Sequence, residues 1–348
     1  MLKKLKISDL FIVIPVLVLI VFSIFVLKTL NPELFPQYYI YIIASFVIFI
    51  LFHSIGYEML SYFSVLLYVM SILFLILTYL LGTITRGTVR WLAIGPLAIQ
   101  PSELIRPFLI IFFSNLIVQK TYSYKKHILL VFLILLPVVL IAIQPSLGVA
   151  LITSIGLLSM YLYKFLNKKN FIVLTLFLLV IIPLTLSLLK PYQRDRLSFF
   201  LNPAKDSQGQ GYNTIQSIIT VGSGKIFGKG LGKGAQTQLQ FLPEKHTDFV
   251  FASISEEMGL IGASVILLSM FILLYRLLKI IDGSNYENYK IYVVGIFTTL
   301  FIETAINVGM NLGILPITGV PLPLVSAGGS SLIATMISLS LVTGPSKK

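Results

Sequence analysis

Apolar runs of bilayer-spanning length recur along this chain, and they restrict the fold more than any other feature of the sequence. A helix needs about 20 residues to cross the hydrocarbon core of a membrane. The runs must be helical because lipid offers no hydrogen-bonding partners to a bare backbone. The predicted fold is therefore an all-α polytopic membrane protein with about ten transmembrane helices. The predicted spans are residues 10–27, 38–55, 62–81, 104–118, 128–143, 149–166, 171–189, 249–274, 291–315 and 324–342.

The charge content agrees with a membrane protein. Only 11% of the 348 residues are charged and 57% are hydrophobic, whereas ordinary soluble domains carry about 25% charged residues. The net charge of +13 comes from small basic groups between the apolar runs, so it does not indicate a nucleic-acid partner. The chain has no cysteine and only three histidines, which argues against disulfides, thiolate catalysis and a zinc site.

The distribution of lysine and arginine predicts the orientation in the membrane. If the N-terminus is cytoplasmic, the inner segments hold 14 basic residues, and the short outer loops hold only Lys28, Arg86 and Arg90. An excess of lysine and arginine is typical of cytoplasmic loops. Both termini are therefore expected in the cytoplasm, and the long polar loops are expected on the outer side.

One outer loop is much longer than the others. Residues 190–246, between the seventh and eighth predicted helices, form the only polar stretch of domain size, so residues 1–348 are expected to form a single membrane domain with one large extracytoplasmic loop. Residues 227–234 of this loop read FGKGLGKG. The glycine backbone and the side chains of Lys229 and Lys233 suit a phosphate cradle. The alternative is a flexible basic loop that binds nothing.

Asp248 lies at the outer mouth of the eighth predicted helix, in the segment PEKHTDFVFASISEEMG. A carboxylate at the edge of the hydrocarbon region is costly, and such residues usually face a bundle interior or a water-filled cavity. Asp248 is therefore a candidate functional residue. The alternative is a structural role, because threonine and aspartate at the start of a helix commonly cap its free N–H groups.

A second acidic residue, Glu103, is predicted to start the fourth helix, directly after an outer loop. This loop contains the only tryptophan, Trp91, beside Arg90, and Arg106 follows Glu103 on the same helix face. The predicted topology places Glu103 and Asp248 at the same depth, as an outward-facing active site requires. The alternatives are an interfacial anchor for the tryptophan and a structural Glu103–Arg106 ion pair.

The last outer loop, GILPITGVPLPLVSAGGSS, is rich in proline and glycine. Irregular backbone at membrane depth occurs only where protein or water satisfies its polar groups. This loop is therefore expected to line the cavity that Glu103 and Asp248 would share. Three further acids, Glu256, Glu257 and Glu303, lie within predicted helices, where Arg106 or protonation could neutralise them.

Four segments of the chain resemble the SEDS family of bacterial cell-wall polymerases: RWLAIGPLAIQPSE, QPSLGVALI, PEKHTDFVFASISEEMG and PITGVPLPLVSAGGSS. They occur in the family's order and spacing, and two of them resemble the cell-elongation branch more than the division branch. The resemblance implies a multi-pass protein of the bacterial cytoplasmic membrane. It implies a peptidoglycan glycosyltransferase that polymerises lipid II, a disaccharide-pentapeptide on undecaprenyl pyrophosphate. It also implies a partner, a class B penicillin-binding protein with transpeptidase activity.

The resemblance further implies roles for individual residues. Asp248 matches the aspartate that the family requires, and Glu103 and Trp91 match its functional glutamate and tryptophan. Arg106 stands where the family usually has lysine, which keeps a positive charge but removes a titratable amine.

These residues suggest a mechanism. Asp248 would be the general base, taking the proton from the GlcNAc 4-hydroxyl of one lipid-linked glycan as this oxygen attacks the other glycan. Glu103 would orient Arg106 or help to hold a divalent cation, Mg or Mn, and Trp91 would stack on a sugar ring. The candidates for stabilising the departing pyrophosphate are Arg90, Arg106, Lys229 and Lys233.

Two other functions stay open from the sequence. Internal charges and an irregular last hairpin also suit a transporter or flippase for a lipid-linked precursor. A non-enzymatic scaffold for a cell-wall transpeptidase is the second alternative. A polymerisation assay in detergent separates them, because neither a flippase nor a scaffold makes glycan.

Overall fold

The structure is a computed structural model, and it describes residues 7–85, 88–95, 97–118, 124–144, 146–166, 198–200 and 209–344. The seventh predicted span, residues 171–189, lies outside the described residues, as does most of the stretch from 190 to 208. In chain order, the α-helices of interest are α1 (Ile7–Leu30), α2 (Phe35–Tyr62), α3 (Ser64–Leu81), α4 (Pro101–Leu104), α5 (Arg106–Ile117), α6 (Tyr124–Ile143), α7 (Leu147–Phe165), α8 (Gln210–Ser223), α9 (Ala235–Gln238), α10 (Val250–Gly283), α11 (Glu287–Asn311) and α12 (Gly329–Thr343).

The prediction of an all-α polytopic membrane fold is confirmed. Seven of the described helices are long and apolar enough to cross a membrane, namely α1, α2, α3, α6, α7, α10 and α11. The fourth and tenth predicted spans correspond to shorter helices, α5 with 12 residues and α12 with 15.

The two short helices lie inside the bundle. Every residue of α12 is buried, and most of α5 is buried as well. A helix enclosed by protein need not match the bilayer thickness, because its ends can be satisfied by neighbouring chain segments. Their position explains why these two runs are shorter than the lipid-facing helices.

A small antiparallel sheet, which the sequence analysis did not predict, forms between α3 and α4. Its strands are β1 (Thr83–Thr85), β2 (Thr88–Ile94) and β3 (Leu97–Ile99), in the order β1-β2-β3. Threonine, valine, isoleucine and tryptophan favour strands, and they dominate β1 and β2. The sheet gives the Arg90–Trp91 pair a fixed place instead of a free loop.

Helix α10 is bent at Gly259, where φ is 65° and ψ is −163°. Such a conformation suits glycine, and the bend leaves carbonyl groups without their usual helical donors. The main-chain N–H groups of Lys229 and Gly230 replace those donors, with bonds of 2.9 Å to the carbonyls of Glu256 and Glu257. The bend divides α10 into a first part that follows Asp248 and a second part that continues through the membrane span.

Candidate active site

Four of the predicted site residues line one cavity of about 420 Å³, namely Arg90, Trp91, Glu103 and Asp248. They come from three separate parts of the chain: strand β2, helix α4 and the segment that precedes α10. The structure therefore brings together the two carboxylates, the tryptophan and one of the arginines that the sequence analysis had singled out.

Four helices begin at the wall of this cavity. Helices α4, α7 and α12 contribute their N-cap residues, Gln100, Ser146 and Gly328, and α10 contributes Asp248, which directly precedes its N-cap residue. The N-terminal end of a helix carries about half a positive charge. Together with the guanidinium of Arg90, these helix ends make the cavity suitable for an anionic ligand.

The sheet that carries Arg90 and Trp91 is fixed at two points. The hydroxyl of Tyr41 donates to the carbonyl of Ala98 at 2.9 Å and accepts from its N–H at 2.8 Å. Directly after β3, the N–H of Gln100 donates to the Ser330 hydroxyl of α12 at 2.8 Å. These bonds tie the sheet to α2 and α12, so the position of Trp91 is set by the bundle.

The segment before α10 is held by the last outer loop. The N–H of Ala327 donates to the carbonyl of His246 at 2.9 Å, and the hydroxyl of Ser326 donates to the carbonyl of Thr247 at 2.7 Å. His246 and Thr247 also line the cavity. The expectation that the loop of residues 313–331 lines the cavity is confirmed, and the loop also fixes the residues next to Asp248.

Gly319 of this loop lies beside the Asp248 carboxylate. Its φ is 70°, a conformation that favours glycine. A Cβ atom at this position would lie only 3.5 Å from Oδ2 of Asp248. Glycine therefore permits both the turn and the open space beside the carboxylate.

Two asparagines of α11 contact the main chain of Asp248, and the sequence analysis missed both. The side-chain amides of Asn307 and Asn311 donate to the Asp248 carbonyl at 3.1 and 3.0 Å. Asn307 also donates to the carbonyl of Val320, at 2.8 Å. The available signal was a pair of amides four residues apart in a membrane-spanning helix, where polar side chains are costly unless they are bonded.

Of the acids that could neutralise Arg106, Glu303 is the one that forms its ion pair. In the described part of the chain, Arg106 pairs with Glu303 of α11, and both side chains are buried. Arg106 and Glu303 line a separate void of about 20 Å³, whereas Glu103 faces the large cavity. Each of these two buried charges compensates the other, since either one alone would destabilise the folded protein.

The two lysines of the FGKGLGKG segment do not reach the cavity in this structure. The ammonium of Lys229 donates to the Glu256 carboxylate at 2.8 Å, and Lys233 is not among the residues that line the cavity. The N–H groups of Lys229 and Gly230 are engaged by the bend in α10. The Lys229 ammonium and these two N–H groups therefore bond to protein in this structure.

Glu256 and Glu257 are structural acids. Glu256 is fully buried and accepts from the main-chain N–H groups of Gln236 and Thr237, each at 3.0 Å. Glu257 accepts from the Thr29 hydroxyl at 2.8 Å. These bonds join the long outer loop to α10 and to the end of α1.

Lys245 lies close to the site, and the sequence analysis did not single it out. Its ammonium donates to the carbonyl of Thr237 at 2.5 Å. Burial lowers the pKa of Lys245, and the nearby Glu257 carboxylate opposes this shift. Lys245 thereby ties the residues before Asp248 to the outer loop.

The described residues contain no group of three or more histidine, cysteine, aspartate or glutamate side chains that could hold a metal ion. Two carboxylates, Glu103 and Asp248, do face the same cavity. Magnesium commonly takes one or two protein carboxylates and completes its shell with water and substrate phosphates. The side chains present therefore fit a cation that is held jointly with a phosphorylated ligand.

Comparison with known proteins shows the family of this chain. The family profile of FtsW, RodA and SpoVE cell cycle proteins matches residues 3–347. The peptidoglycan glycosyltransferase MrdB of Escherichia coli (strain K12) is 38% identical over 280 residues, which are 79% of this chain and 75% of MrdB. A probable peptidoglycan glycosyltransferase FtsW of Buchnera aphidicola subsp. Baizongia pistaciae is 34% identical over 87% of this chain and 81% of its own length.

Solved structures agree with the sequence comparisons. A chain from a study of the structural coordination of polymerization and crosslinking by a peptidoglycan synthase complex superimposes with a TM-score of 0.82 at 29% identity, over 95% of both chains. The rod shape determining protein RodA of Thermus thermophilus superimposes with a TM-score of 0.72 at 26% identity, over 96% of this chain and 95% of RodA. This chain belongs to the FtsW, RodA and SpoVE family, also called the SEDS family.

Proposed function

We propose that this chain is a peptidoglycan glycosyltransferase that polymerises lipid II during cell elongation, at the outer face of the bacterial cytoplasmic membrane. The observation that carries the proposal is the convergence of Asp248, Glu103, Arg90 and Trp91 on one cavity. The names of the relatives support the activity, since MrdB and FtsW are called peptidoglycan glycosyltransferases.

Asp248 acts as the general base of this reaction. Its carboxylate takes the proton from the 4-hydroxyl of the acceptor GlcNAc as this oxygen bonds to the anomeric carbon of the donor glycan. The bond between that carbon and the pyrophosphate breaks, and undecaprenyl pyrophosphate leaves with the bonding electrons. Direct displacement at an α-linked donor gives a β-linked product.

The leaving pyrophosphate needs positive charge placed in advance. Arg90 lines the cavity, and residues at the N-terminal ends of four helices lie at its wall, so their partial positive charge is close to a ligand there. Arg106 does not line the cavity, and its guanidinium pairs with Glu303. Because the charges of Arg106 and Glu303 nearly cancel at the distance of the pyrophosphate, Arg90 and the helix ends provide most of this stabilisation.

Trp91 and Glu103 complete the site. The Trp91 ring offers a flat apolar face to a sugar, which suits the carbohydrate part of lipid II. Glu103 faces the cavity together with Asp248. A divalent cation, Mg or Mn, would supply Lewis-acid stabilisation of the pyrophosphate when it is held by these carboxylates and the substrate.

The direct test is polymerisation of lipid II by the purified chain in detergent. We expect glycan strands to form, and we expect EDTA to slow the reaction and added Mg or Mn to restore it. A flippase or a scaffold would make no glycan under these conditions, so an inactive pure protein would contradict the proposed enzyme. Full activity in EDTA would remove the cation from the mechanism while leaving the activity itself in place.

We also propose a class B penicillin-binding protein as the partner that crosslinks the new strand, with both termini of this chain in the cytoplasm. A structural relative comes from a peptidoglycan synthase complex in which polymerization and crosslinking are coordinated. Co-purification of the two membrane proteins tests the partner. Labelling of cysteines introduced near each terminus by a membrane-impermeant reagent tests the orientation, and labelling of intact cells would contradict it.

A further inference from the structure

The start of α10 receives a capping hydrogen-bond acceptor from another helix. The first N–H groups of a helix have no acceptor within the helix and need one from elsewhere. Helix α10 begins at Val250, and its N-cap residue, Phe249, makes no side-chain capping hydrogen bond. Asp248, directly before it, is the residue type that would ordinarily serve as a cap.

The acceptor is instead provided by α11. The Oδ1 atom of Asn311 accepts from the N–H of Ala252 at 3.0 Å. Ala252 is the third residue of α10, which is the position whose N–H a capping side chain usually binds. Asn311 therefore caps α10 from outside the helix.

The same asparagine also forms a hydrogen bond with the main chain of Asp248. Its Nδ2 group donates to the Asp248 carbonyl at 3.0 Å, and Asn307, one turn earlier, donates to that carbonyl at 3.1 Å. Asn307 also joins this segment to the loop of residues 313–331, through its bond to the Val320 carbonyl at 2.8 Å. Both asparagines are fully buried, so water does not compete for these bonds.

We propose that Asn307 and Asn311 are positioning residues for Asp248. Asn311 provides an acceptor at the start of α10, and the two amides hold the Asp248 main chain where its residue lines the cavity. The inference rests on the proposed function, because it assigns these residues to the placement of the general base. A displacement of a reacting group by about 1 Å can reduce a rate roughly 100-fold.

The kinetic test uses lipid II polymerisation by purified variants. Asn311→Ala removes the cap and one donor to Asp248, and we expect kcat to fall roughly 100-fold with KM for lipid II nearly unchanged. Asn307→Ala leaves the Asn311 bonds in place and should lower kcat by a smaller factor. Asn311→Asp keeps an acceptor for Ala252 but loses the amide donors, which separates the two contributions of Asn311.

A matched control comes from the same helix. Thr304 is buried, and its hydroxyl bonds only to the carbonyl of Leu300 in its own helix, at 2.8 Å. Thr304→Val should change the melting temperature in detergent but preserve kcat. If the wild type polymerises lipid II and the asparagine variants lose no more kcat than Thr304→Val, the positioning role is wrong. If the wild type makes no glycan, the proposed function fails.

Hydrogen exchange tests the cap without any activity measurement. Exchange at the Ala252 amide should stay slow in Asp248→Ala, because Asn311 is the capping acceptor. It should become fast in the double variant Asp248→Ala/Asn311→Ala. Fast exchange in Asp248→Ala alone, or equally slow exchange in both variants, would overturn the proposal.

Discussion

Two acids of the same segment lie in opposite surroundings. Glu256 is fully buried, and its carboxylate accepts from Lys229 at 2.8 Å and from the N–H groups of Gln236 and Thr237 at 3.0 Å. Asp248, eight residues earlier, lines the large cavity, and two asparagines of the neighbouring helix donate to its main-chain carbonyl. One acid is enclosed by donors, whereas the other has its main chain fixed and its side chain accessible.

The difference separates structural from functional charge in a membrane protein. A buried carboxylate with several donors stabilises the fold because removing it would leave those donors unsatisfied. A carboxylate in an open cavity contributes little to folding and is accessible to a substrate. The two classes should therefore respond to substitution in different measurements, with stability changing in one case and catalysis in the other.

The largest effect is expected for Asp248→Asn. The substitution keeps the size of the side chain and removes its basicity, and general-base catalysis is typically worth 10²- to 10⁴-fold. We expect lipid II polymerisation to fall by about 10³-fold, with little change in melting temperature. The initial rate of glycan formation and a thermal melt on the same preparation measure both quantities. A large loss of stability would mean that Asp248 belongs with Glu256 as a structural acid.

Glu256→Gln should give the opposite pattern. A glutamine retains one acceptor oxygen but places an NH₂ group beside N–H donors and leaves Lys229 without its carboxylate. We expect a loss of about 1–3 kcal/mol in the free energy of unfolding. Activity per folded molecule should be largely retained, as measured by polymerisation rates normalised to monodisperse protein. A variant with wild-type stability but no activity would reverse the assignment.

Glu103→Gln should have an intermediate effect on catalysis. Glu103 faces the cavity, and the ion pair of Arg106 is with Glu303, so the contribution of Glu103 is to the charge of the site or to a bound cation. We expect the rate to fall roughly 10- to 100-fold, as for other residues that support a reacting group or a metal. A titration of Mg in the assay distinguishes these roles, because a metal ligand would shift the Mg requirement.

Much of the fold follows from the sequence because lipid allows few backbone structures. The spans that correspond to α1, α2 and α3 were predicted from apolar runs alone, since only helices satisfy the backbone there. The small sheet before α4 was missed, because its short strands depend on bonds to Tyr41 and Ser330 in distant helices. Pairings between distant segments leave no local pattern.

The site was predictable where charge stood out against an apolar background. Asp248 and Glu103 are carboxylates at the ends of apolar runs, and the structure places both on one cavity. The sequence left the partner of Arg106 open between several acids, because helical spacing favours Glu103 while a tertiary contact could favour another helix; the structure shows the ion pair with Glu303 of α11. Asparagines are uncharged and were overlooked, although Asn311 contacts the main chain of the proposed base.

The smallest effect is expected for Lys229→Ala, which tests whether this lysine stabilises the fold, like Glu256, or binds substrate. The Lys229 side chain is 33% exposed, and its ion pair with Glu256 is therefore partly screened. We expect a stability loss of about 1 kcal/mol, with kcat and KM for lipid II nearly unchanged because Lys229 does not line the cavity. Lys233→Ala is the matched control, since Lys233 comes from the same segment but is not in the pair with Glu256, and it should change neither quantity. A marked rise in KM for Lys229→Ala at unchanged stability would show that this lysine binds the substrate. The loop would then have to reach the cavity when lipid II binds.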